Sequence, residues 1–392
     1  MQTGDTSDFA HVGPETLAGR YLRRFWHPIA RSADLEPGRP VRAAFANEHF
    51  TLYRGQSGAV VLLDDRCPHR QTSLAFGWVE DDCIRCLYHG WVFDPAGQCV
   101  EQPAENAAFA AKVKIRAYPV REYFGLVYGY FGAGEPPEFP RYPEFEEATG
   151  ADYSVNAHEV PCSWFQRLEN DVDEVHVHFV HSVSTRAIGL KELPEITVTE
   201  TDYGIRREGK RSGAGVNVPR VGHLMMPNIN MTDLPPSPEM RYWTVHLAYR
   251  VPMTDESSMT FSIRLKKPEP GAEGNGHGKT SGAVKNRPDW GVDPNEYVEK
   301  ILAGKMRLQD VDPDYPALFV VEDNVALAGQ GRITERHKDR LGQSDKGIIL
   351  LRKIWERELR ALAEGRPLKV WSRPKHRLDL AVTNIRETAD FV

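Results

Sequence analysis

Nowhere in this 392-residue chain do eighteen apolar residues run together, and the opening stretch from Met1 to Gly13 is polar, without an apolar h-region. A membrane-crossing helix needs about 20 mostly apolar residues and a secretory signal needs a compact apolar block, so neither is expected. Cysteine is scarce, at five residues, which argues against a disulfide framework. Thiols used as ligands or core filler in a reducing cytoplasm are expected instead. No basic block stands out against a formal net charge of -6, so a nucleic-acid partner is not expected. No G-x-G-x-x-G fingerprint follows a strand-like run, so nicotinamide or flavin chemistry would have to be carried by another protein. An internal repeat is also lacking.

What is present is ordinary in bulk: 41% hydrophobic and 27% charged residues, in a chain long enough for two domains or one with an insertion. Apolar Ala18, Tyr21, Leu22 and Phe25 recur at helical spacing and predict a short helix over 14–26. From about Pro40 to Tyr130, short apolar runs punctuated by Gly, Pro and Asp predict a small all-β module, with Val41 to Arg54 among its strand-like runs. Proline-rich Glu135 to Tyr142 reads as a linker out of it. Beyond it an α+β region is expected, with helices at Trp164 to His181, Pro294 to Arg307 and Lys346 to Glu364. Strands are expected at Ile196 to Thr201, Tyr242 to Val251 and Met259 to Leu265. Lys267 to Pro288 is Gly/Ser/Lys-rich and reads as a surface loop.

Two constellations carry chemistry. The segment from Leu168 to His181 holds three histidines and four acids among Val, Leu and Phe. Burying such groups is costly unless a cation holds them, and two histidines with one carboxylate suit non-haem iron while leaving coordination positions open. A solvated acidic helix is the bland alternative. Upstream, Cys67-Pro68-His69 and Cys86-Leu87-Tyr88-His89 form C-x-H, sixteen residues, then C-x-x-H. Two cysteines and two histidines from facing loops suit either zinc or a [2Fe–2S] cluster with two histidine ligands.

The surrounding residues, Arg66-Cys67-Pro68-His69-Arg70 and Cys86-Leu87-Tyr88-His89-Gly90-Trp91-Val92-Phe93-Asp94-Pro95-Ala96-Gly97-Gln98-Cys99, closely resemble the Rieske domain of aromatic-ring-hydroxylating oxygenases. That resemblance implies that Cys67 and Cys86 hold one iron and His69 and His89 the other. Cys83, Cys99 and Cys162 are left as packing residues. The later segment resembles the mononuclear-iron helix of the same family: Asp173, His176 and His181 match its order and spacing. Downstream, Asp323 in Val320-Val321-Glu322-Asp323-Asn324 matches the third ligand, with Glu322 as its competitor. Residues five apart on a regular α-helix point about 140° apart, so a bulge or a helix end is required between His176 and His181. His178 is the alternative ligand in a different register. Asp171 and Glu174 are expected to be solvated or to support the ligands from behind. By resemblance, Asp173 also bridges His89 of a neighbouring subunit to His176, the alternative being a helix N-terminal acid; Asn170 is expected to line the iron pocket, to donate to a ligand or to cap a helix.

The implied fold is α+β. An all-β Rieske domain (27–135) is inserted before a helix-grip-like, START-type catalytic domain (1–26 and 136–392). Expected substrate contacts are His223, Met225, Asn228, Asn230, Trp243 and His246, with Met226 and Tyr242 beside them. The C-terminal run Gly331-Arg332-Ile333-Thr334-Glu335-Arg336 and Leu341-Gly342-Gln343-Ser344-Asp345-Lys346-Gly347 resembles the phthalate- and phenoxybenzoate-dioxygenase branch. That branch implies a homotrimer of α subunits acting on aromatic acids or aryl ethers. It also implies O2 as co-substrate, a Rieske [2Fe-2S] cluster, mononuclear non-haem Fe(II), and a separate reductase or ferredoxin fed by NAD(P)H. O-demethylation of a methoxylated aromatic acid or lignin-derived biaryl is the expected reaction, with ring or angular dioxygenation as the alternative. A Rieske electron carrier would leave 173–181 and Asp323 idle. Iron per chain separates the readings: about three for the oxygenase and about two for the carrier, against none for a zinc module.

Overall fold

A computed structural model describes residues 4–148, 153–182, 184, 193–210, 220–234, 244–266 and 291–380. Trp243, Tyr242 and the Gly/Ser/Lys-rich stretch 267–288 lie outside the described residues, as does the tail beyond 380. Two compact units divide the chain, one formed by Val12–Phe139 and the other by Met1–His11 with Pro140–Val392.

The first unit is built from short antiparallel strands, as the punctuated apolar runs predict. It opens with helix α1 (Leu17–Leu22), whose N-cap Thr16 accepts a hydrogen bond from the Gly19 amide. Gly19 is required there, since a Cβ would fall 2.0 Å from the Gly13 carbonyl oxygen. The compact unit takes in α1 and begins at Val12. Arg23, just after α1, donates to the carbonyls of Val12 (3.1 Å) and Ala46 (3.0 Å) and pairs with Glu48 (2.6 Å). These bonds tie α1 to the strands that follow.

Strand β1 (Trp26–Arg31) joins β10 (Leu126–Tyr130) and β9 (Val120–Tyr123) in one sheet. A second sheet comprises β2 (Val41–Phe45), β3 (Glu48–Arg54) and β4 (Val60–Asp64). The run Val41 to Arg54 is thus two strands. Ala46 and Asn47, at φ 50° and 67°, make the two-residue turn between them, a geometry whose twist suits a hairpin. The third sheet, β5 (Trp78–Glu80), β6 (Cys83–Arg85), β7 (Val92–Phe93) and β8 (Cys99–Glu101), carries one of the Cys/His loops between β6 and β7. Helix α2 (Ala107–Ala110) follows it.

In the second unit, α3 (Pro143–Glu146) leads into a seven-stranded antiparallel sheet. Its strands are β11 (Tyr153–Val160), β12 (Glu195–Glu200), β13 (Gly204–Lys210), β14 (Arg220–Met225), β15 (Ile229–Leu234), β16 (Thr244–Pro252) and β17 (Ser258–Lys266). Their order is β11-β17-β16-β15-β14-β13-β12. The predicted helix over 164–181 is two pieces, α4 (Trp164–Asn170) and α5 (His176–Phe179). Helix α6 (Pro294–Leu302) starts on Asp293, whose side chain accepts from the Asn295 amide, and gives out at Ala303–Gly304, where Gly304 takes φ 68°. Helices α7 (Leu318–Ala328) and α8 (Lys346–Ala363) complete the unit. Trp164 of α4 meets Trp355 of α8 edge-on at 5.0 Å between ring centroids, and its indole N–H donates to the Phe9 carbonyl at 3.0 Å. Among the described residues no helix is long and apolar enough to cross a membrane.

Candidate metal centres

In the first unit, the two Cys/His loops have the same internal construction. The Cys67 amide donates to Thr72 O (2.9 Å) and the Gln71 amide returns to Cys67 O (2.8 Å). Correspondingly, the Cys86 amide donates to Trp91 O (2.8 Å) and the Gly90 amide to Cys86 O (3.0 Å). The fourth residue after each cysteine turns through the left-handed region, Gln71 at φ 62° and Gly90 at φ 73°. Each loop also points two amides at its own sulfur, those of His69 and Arg70 at Cys67 and those of Tyr88 and His89 at Cys86.

The cysteines are buried, whereas His69 and His89 are exposed with ring centroids 4.3 Å apart. Trp91 stacks on His69 at 4.6 Å. The mutual hydrogen bond of the thiols, reinforced for Cys67 by burial, pushes the Cys67 thiol up. The same bond, with the Tyr88 and His89 amides, holds Cys86 down at about 6. Two inward sulfurs under converging N–H groups, capped by two outward imidazoles, fit a [2Fe–2S] cluster with unlike ends. Cys99 packs in the core beneath the loops, alongside Cys67 and Cys86, while Cys83 is half-buried on β6; neither is placed as a ligand.

In the second unit, a separate trio converges. One donor atom each from His176, His181 and Asp323 lies within 4.8 Å of the others. His181 Nε2 is 3.1 Å and His176 Nε2 3.8 Å from Asp323 Oδ1. The helix end required between the histidines is present: α5 stops at Phe179, and the Ser182 amide reaches back only three residues, to Phe179 O. His181 is thereby released from the helix and lies flat against Phe319, 3.6 Å between centroids. Two imidazoles and one carboxylate in a buried, polar-lined site fit a divalent iron with open positions. Burial opposes charge on Asp323, but His181 and Arg167 hold its carboxyl well below the usual carboxylate range. His176 is pushed down by burial despite Asp323 and Asp173. His181 is raised: burial works against it, and the Asp323 and Glu322 carboxylates outweigh burial.

Asn170 donates to Asp323 Oδ1 at 3.1 Å. Asp173 does two things at once. Its Oδ1 caps α5 by accepting from the amides of Val175 (2.9 Å) and His176 (3.2 Å), while Oδ2 lies 3.8 Å from His176 Nδ1. Glu322 faces the other way from Asp323: its Oε2 accepts from His181 Nδ1 at 2.8 Å and from the Ser184 hydroxyl at 2.6 Å. A cavity of about 330 Å³ adjoins it, lined by Phe179, Val180, Leu318 and Val325 among others.

Of the two roles expected for the surrounding acids, burial removes the solvated one. Asp171 and Glu174 are not solvated. Asp171 is gripped by Arg250 through two bonds of 2.7 Å and by Arg167 at 3.2 Å. Glu174, fully buried, is bound by Arg207 and lies 3.5 Å from Arg220. Glu169 pairs with Arg336 (3.1 Å) and Arg352 (2.6 Å). Each acid is drawn to a different element across the break between α4 and α5. None of these arginines carried a motif; a run of acids with too much apolar neighbourhood to be solvated was the available signal.

Register sorts the expected substrate contacts. Asn230 lies opposite Ala248 and His246 opposite Thr232 and Arg264, so both share the sheet face that carries Arg250 and Thr260. Asn230 is already committed, donating to Asp171 (3.3 Å) and accepting from Arg207 (3.4 Å). His246 stays neutral, held well below its ordinary range by desolvation and by Arg264 and Arg250. His158, on β11, is likewise pushed down, to about 3, by desolvation and Arg250. His223 and Met225 pair with Met231 and Ile229 and occupy the opposite face of the sheet from Asn230 and His246. There Tyr203 OH meets His223 Nδ1 at 2.8 Å, and Met225 is core. Asn228 pins the sheet, donating to the Arg250 carbonyl at 2.7 Å. His178, beside Phe179, is not part of the metal trio.

Residues 25–120 match the model of the Rieske [2Fe-2S] domain. The chain is 33% identical to the 5,5'-dehydrodivanillate O-demethylase oxygenase subunit of Sphingobium sp. (strain NBRC 103272 / SYK-6), over 93% of this chain and 82% of that one. It is 32% identical to the phenoxybenzoate dioxygenase subunit alpha of Ectopseudomonas oleovorans, over 90% and 84%. Among solved structures, dicamba monooxygenase bound to dicamba shares the fold. The TM-score is 0.63 at 20% identity, covering 88% of this chain and all of that one.

Proposed function

The chain belongs to the Rieske non-haem iron oxygenases as an oxygenase alpha subunit, and from that premise we propose that it O-demethylates a methoxylated aromatic acid or lignin-derived biaryl. The enzyme is an oxidoreductase with a Rieske [2Fe-2S] cluster and a mononuclear non-haem iron. The observation that carries the demethylase reading is the 33% identity to a demethylase oxygenase subunit, sustained over nearly the whole chain. In balance, an aryl methyl ether, O2 and two electrons with two protons yield a phenol, formaldehyde and water. The electrons come from NAD(P)H through a separate reductase or ferredoxin. The similarity to a phenoxybenzoate dioxygenase subunit supports the second reading, dioxygenation of an aromatic acid or diaryl ether.

In this reading Cys67, His69, Cys86 and His89 hold the cluster, and His176, His181 and Asp323 hold the iron. When bound, these groups supply electron storage and dioxygen activation. The residues of the chain do the rest. Asp173 stands 3.8 Å from His176 Nδ1, and in a homotrimer it would accept a hydrogen bond from His89 of a neighbouring subunit, giving electrons a short route. Asn170 and Arg167 hold the Asp323 carboxylate in place. The sheet face bearing His246 offers a neutral imidazole to a polar substituent of the substrate.

The deciding experiment supplies the purified protein with a surrogate reductase and NADH on methoxybenzoates, lignin biaryls and phthalates. Formaldehyde matched to substrate loss is the expected result. A diol without formaldehyde would replace the demethylase reading by the dioxygenase one.

A further inference from the structure

A buried carboxylate is expensive, and one that adjoins the trio is not placed as a ligand. Glu322 is 1% exposed and adjoins Asp323 in sequence, yet on α7 the two side chains diverge. Asp323 Oδ1 faces Nε2 of His181, while Glu322 Oε2 faces Nδ1 of the same ring. One imidazole is therefore held between two consecutive carboxylates, one at each nitrogen.

We propose that Glu322, locked by Ser184, is the positioning residue that commits His181 to bind iron through Nε2. An ionised carboxylate only accepts hydrogen bonds, so at 2.8 Å it obliges Nδ1 to carry the proton and leaves the Nε2 lone pair for the metal. The Ser184 hydroxyl donates to the same oxygen at 2.6 Å, which stops the carboxylate rotating away. Phe319, stacked on the ring at 3.6 Å, sets its plane but cannot choose between the two nitrogens. Charge points the same way. A ferrous ion with two neutral imidazoles and Asp323 keeps one uncompensated positive charge, and Glu322 supplies the balancing negative one within a site that excludes water. His176 has the weaker counterpart, Asp173 at 3.8 Å from its Nδ1, so the trio depends on Glu322 more than on any other carboxylate outside the ligand set.

The inference rests on the iron-site reading, and the test separates the two. The cluster-loaded full chain is stripped of mononuclear metal with a chelator and titrated with Co(II), whose visible bands report the ligand set. The wild type, Asp323→Ala, Glu322→Gln, Glu322→Leu and Ser184→Ala are compared. Equal binding by the wild type and Asp323→Ala would mean that the metal site itself is misplaced. If that site stands, Glu322→Leu and Glu322→Gln are expected to bind Co(II) roughly 10–100-fold more weakly. At saturation their bands should match the wild type, and their Rieske absorbance should be unchanged. Ser184→Ala is expected to weaken binding less, in the same direction. Wild-type affinity in both Glu322 variants overturns the proposal. So does a Co(II) spectrum altered as in Asp323→Ala, because that would make Glu322 a ligand. Loss of folding in Glu322→Leu leaves Glu322→Gln, nearly identical in shape, to decide.

Discussion

The two metal-bearing regions of this chain are held by opposite means. The Cys/His loops of the first unit are backbone devices. Four amides point at the two sulfurs, each loop closes on its own carbonyl, and the turns are made by Gln71 and Gly90 in the left-handed region. Their four candidate ligands lie within 23 residues, Cys67 to His89. The iron trio of the second unit is a side-chain device. His176 and Asp323 are separated by most of the sheet, and the segment that carries the histidines is held by arginines from four other elements. The comparison teaches that a local metal loop needs correct backbone dihedrals, whereas a site assembled across a domain needs its buried charges balanced. Breaking a dihedral is a small perturbation, and orphaning a buried charge is a large one.

The largest expected break follows from that difference. Arg250→Leu leaves Asp171 buried with only Arg167 and Asn230 beside it, and should destabilise the second unit by about 3–5 kcal/mol. Denaturant unfolding followed by tryptophan fluorescence would show it, with Rieske absorbance as the reference for the first unit. Equal loss of both signals would undo the contrast.

A smaller effect concerns acid. His223 is fully buried between Tyr203 and Asp379, and desolvation outweighs the help of Asp379, lowering it to about 4. A histidine depressed in the folded state binds its proton more readily when unfolded. Stability is therefore expected to be complete above about pH 6.5 and to fall by on the order of 2 kcal/mol as pH drops toward 4. Midpoint denaturant concentrations measured across that window should decline, and His223→Gln should flatten the decline. An unchanged slope in the variant would assign the acid sensitivity to other groups.

The smallest effect sharpens the loop side. Gly90→Ala forces a Cβ into φ 73° and to 3.3 Å from Pro103 Cγ, and should cost the first unit about 1–2 kcal/mol. Gln71→Gly, at the matching position of the other loop, should be neutral or stabilising by under about 1 kcal/mol, since it relieves the same strain at an entropic cost. Thermal bleaching of the Rieske absorbance would report both. If Gln71→Gly proved the more damaging, the shared construction of the two loops would not be what holds them.

Much of this was legible beforehand, and unevenly. Cys67, His69, Cys86 and His89 stood out because a chain segment folding on itself writes its ligand spacing directly into the sequence. The pairing of His176 with His181 was readable only together with its obstacle, the 140° between them on a regular helix. The structure resolves that obstacle by ending α5 at Phe179. Predicted as a single helix over 164–181, the segment is two, because helical periodicity carries no record of where each acid finds its arginine. Strand alternation puts His223 and Met225 on one face of their own strand, but only the pairing register sets that face opposite the one bearing His246.

By itself, then, the sequence displayed the paired Cys/His loops, the order of the candidate metal-site segments and the all-β then α+β layout, because these depend on short-range spacing and periodicity; the preference for a cluster over zinc came from the resemblance of the residues around the loops. Only the tertiary structure decided which carboxylate meets which cation. It made Glu322 the partner of His181 Nδ1 and Asp323 the partner of Nε2, though the two acids are adjacent and chemically alike. Neighbours in a helix point about 100° apart, and which of them faces the metal depends on how α7 is rolled against the rest of its unit, a property no local stretch of residues contains.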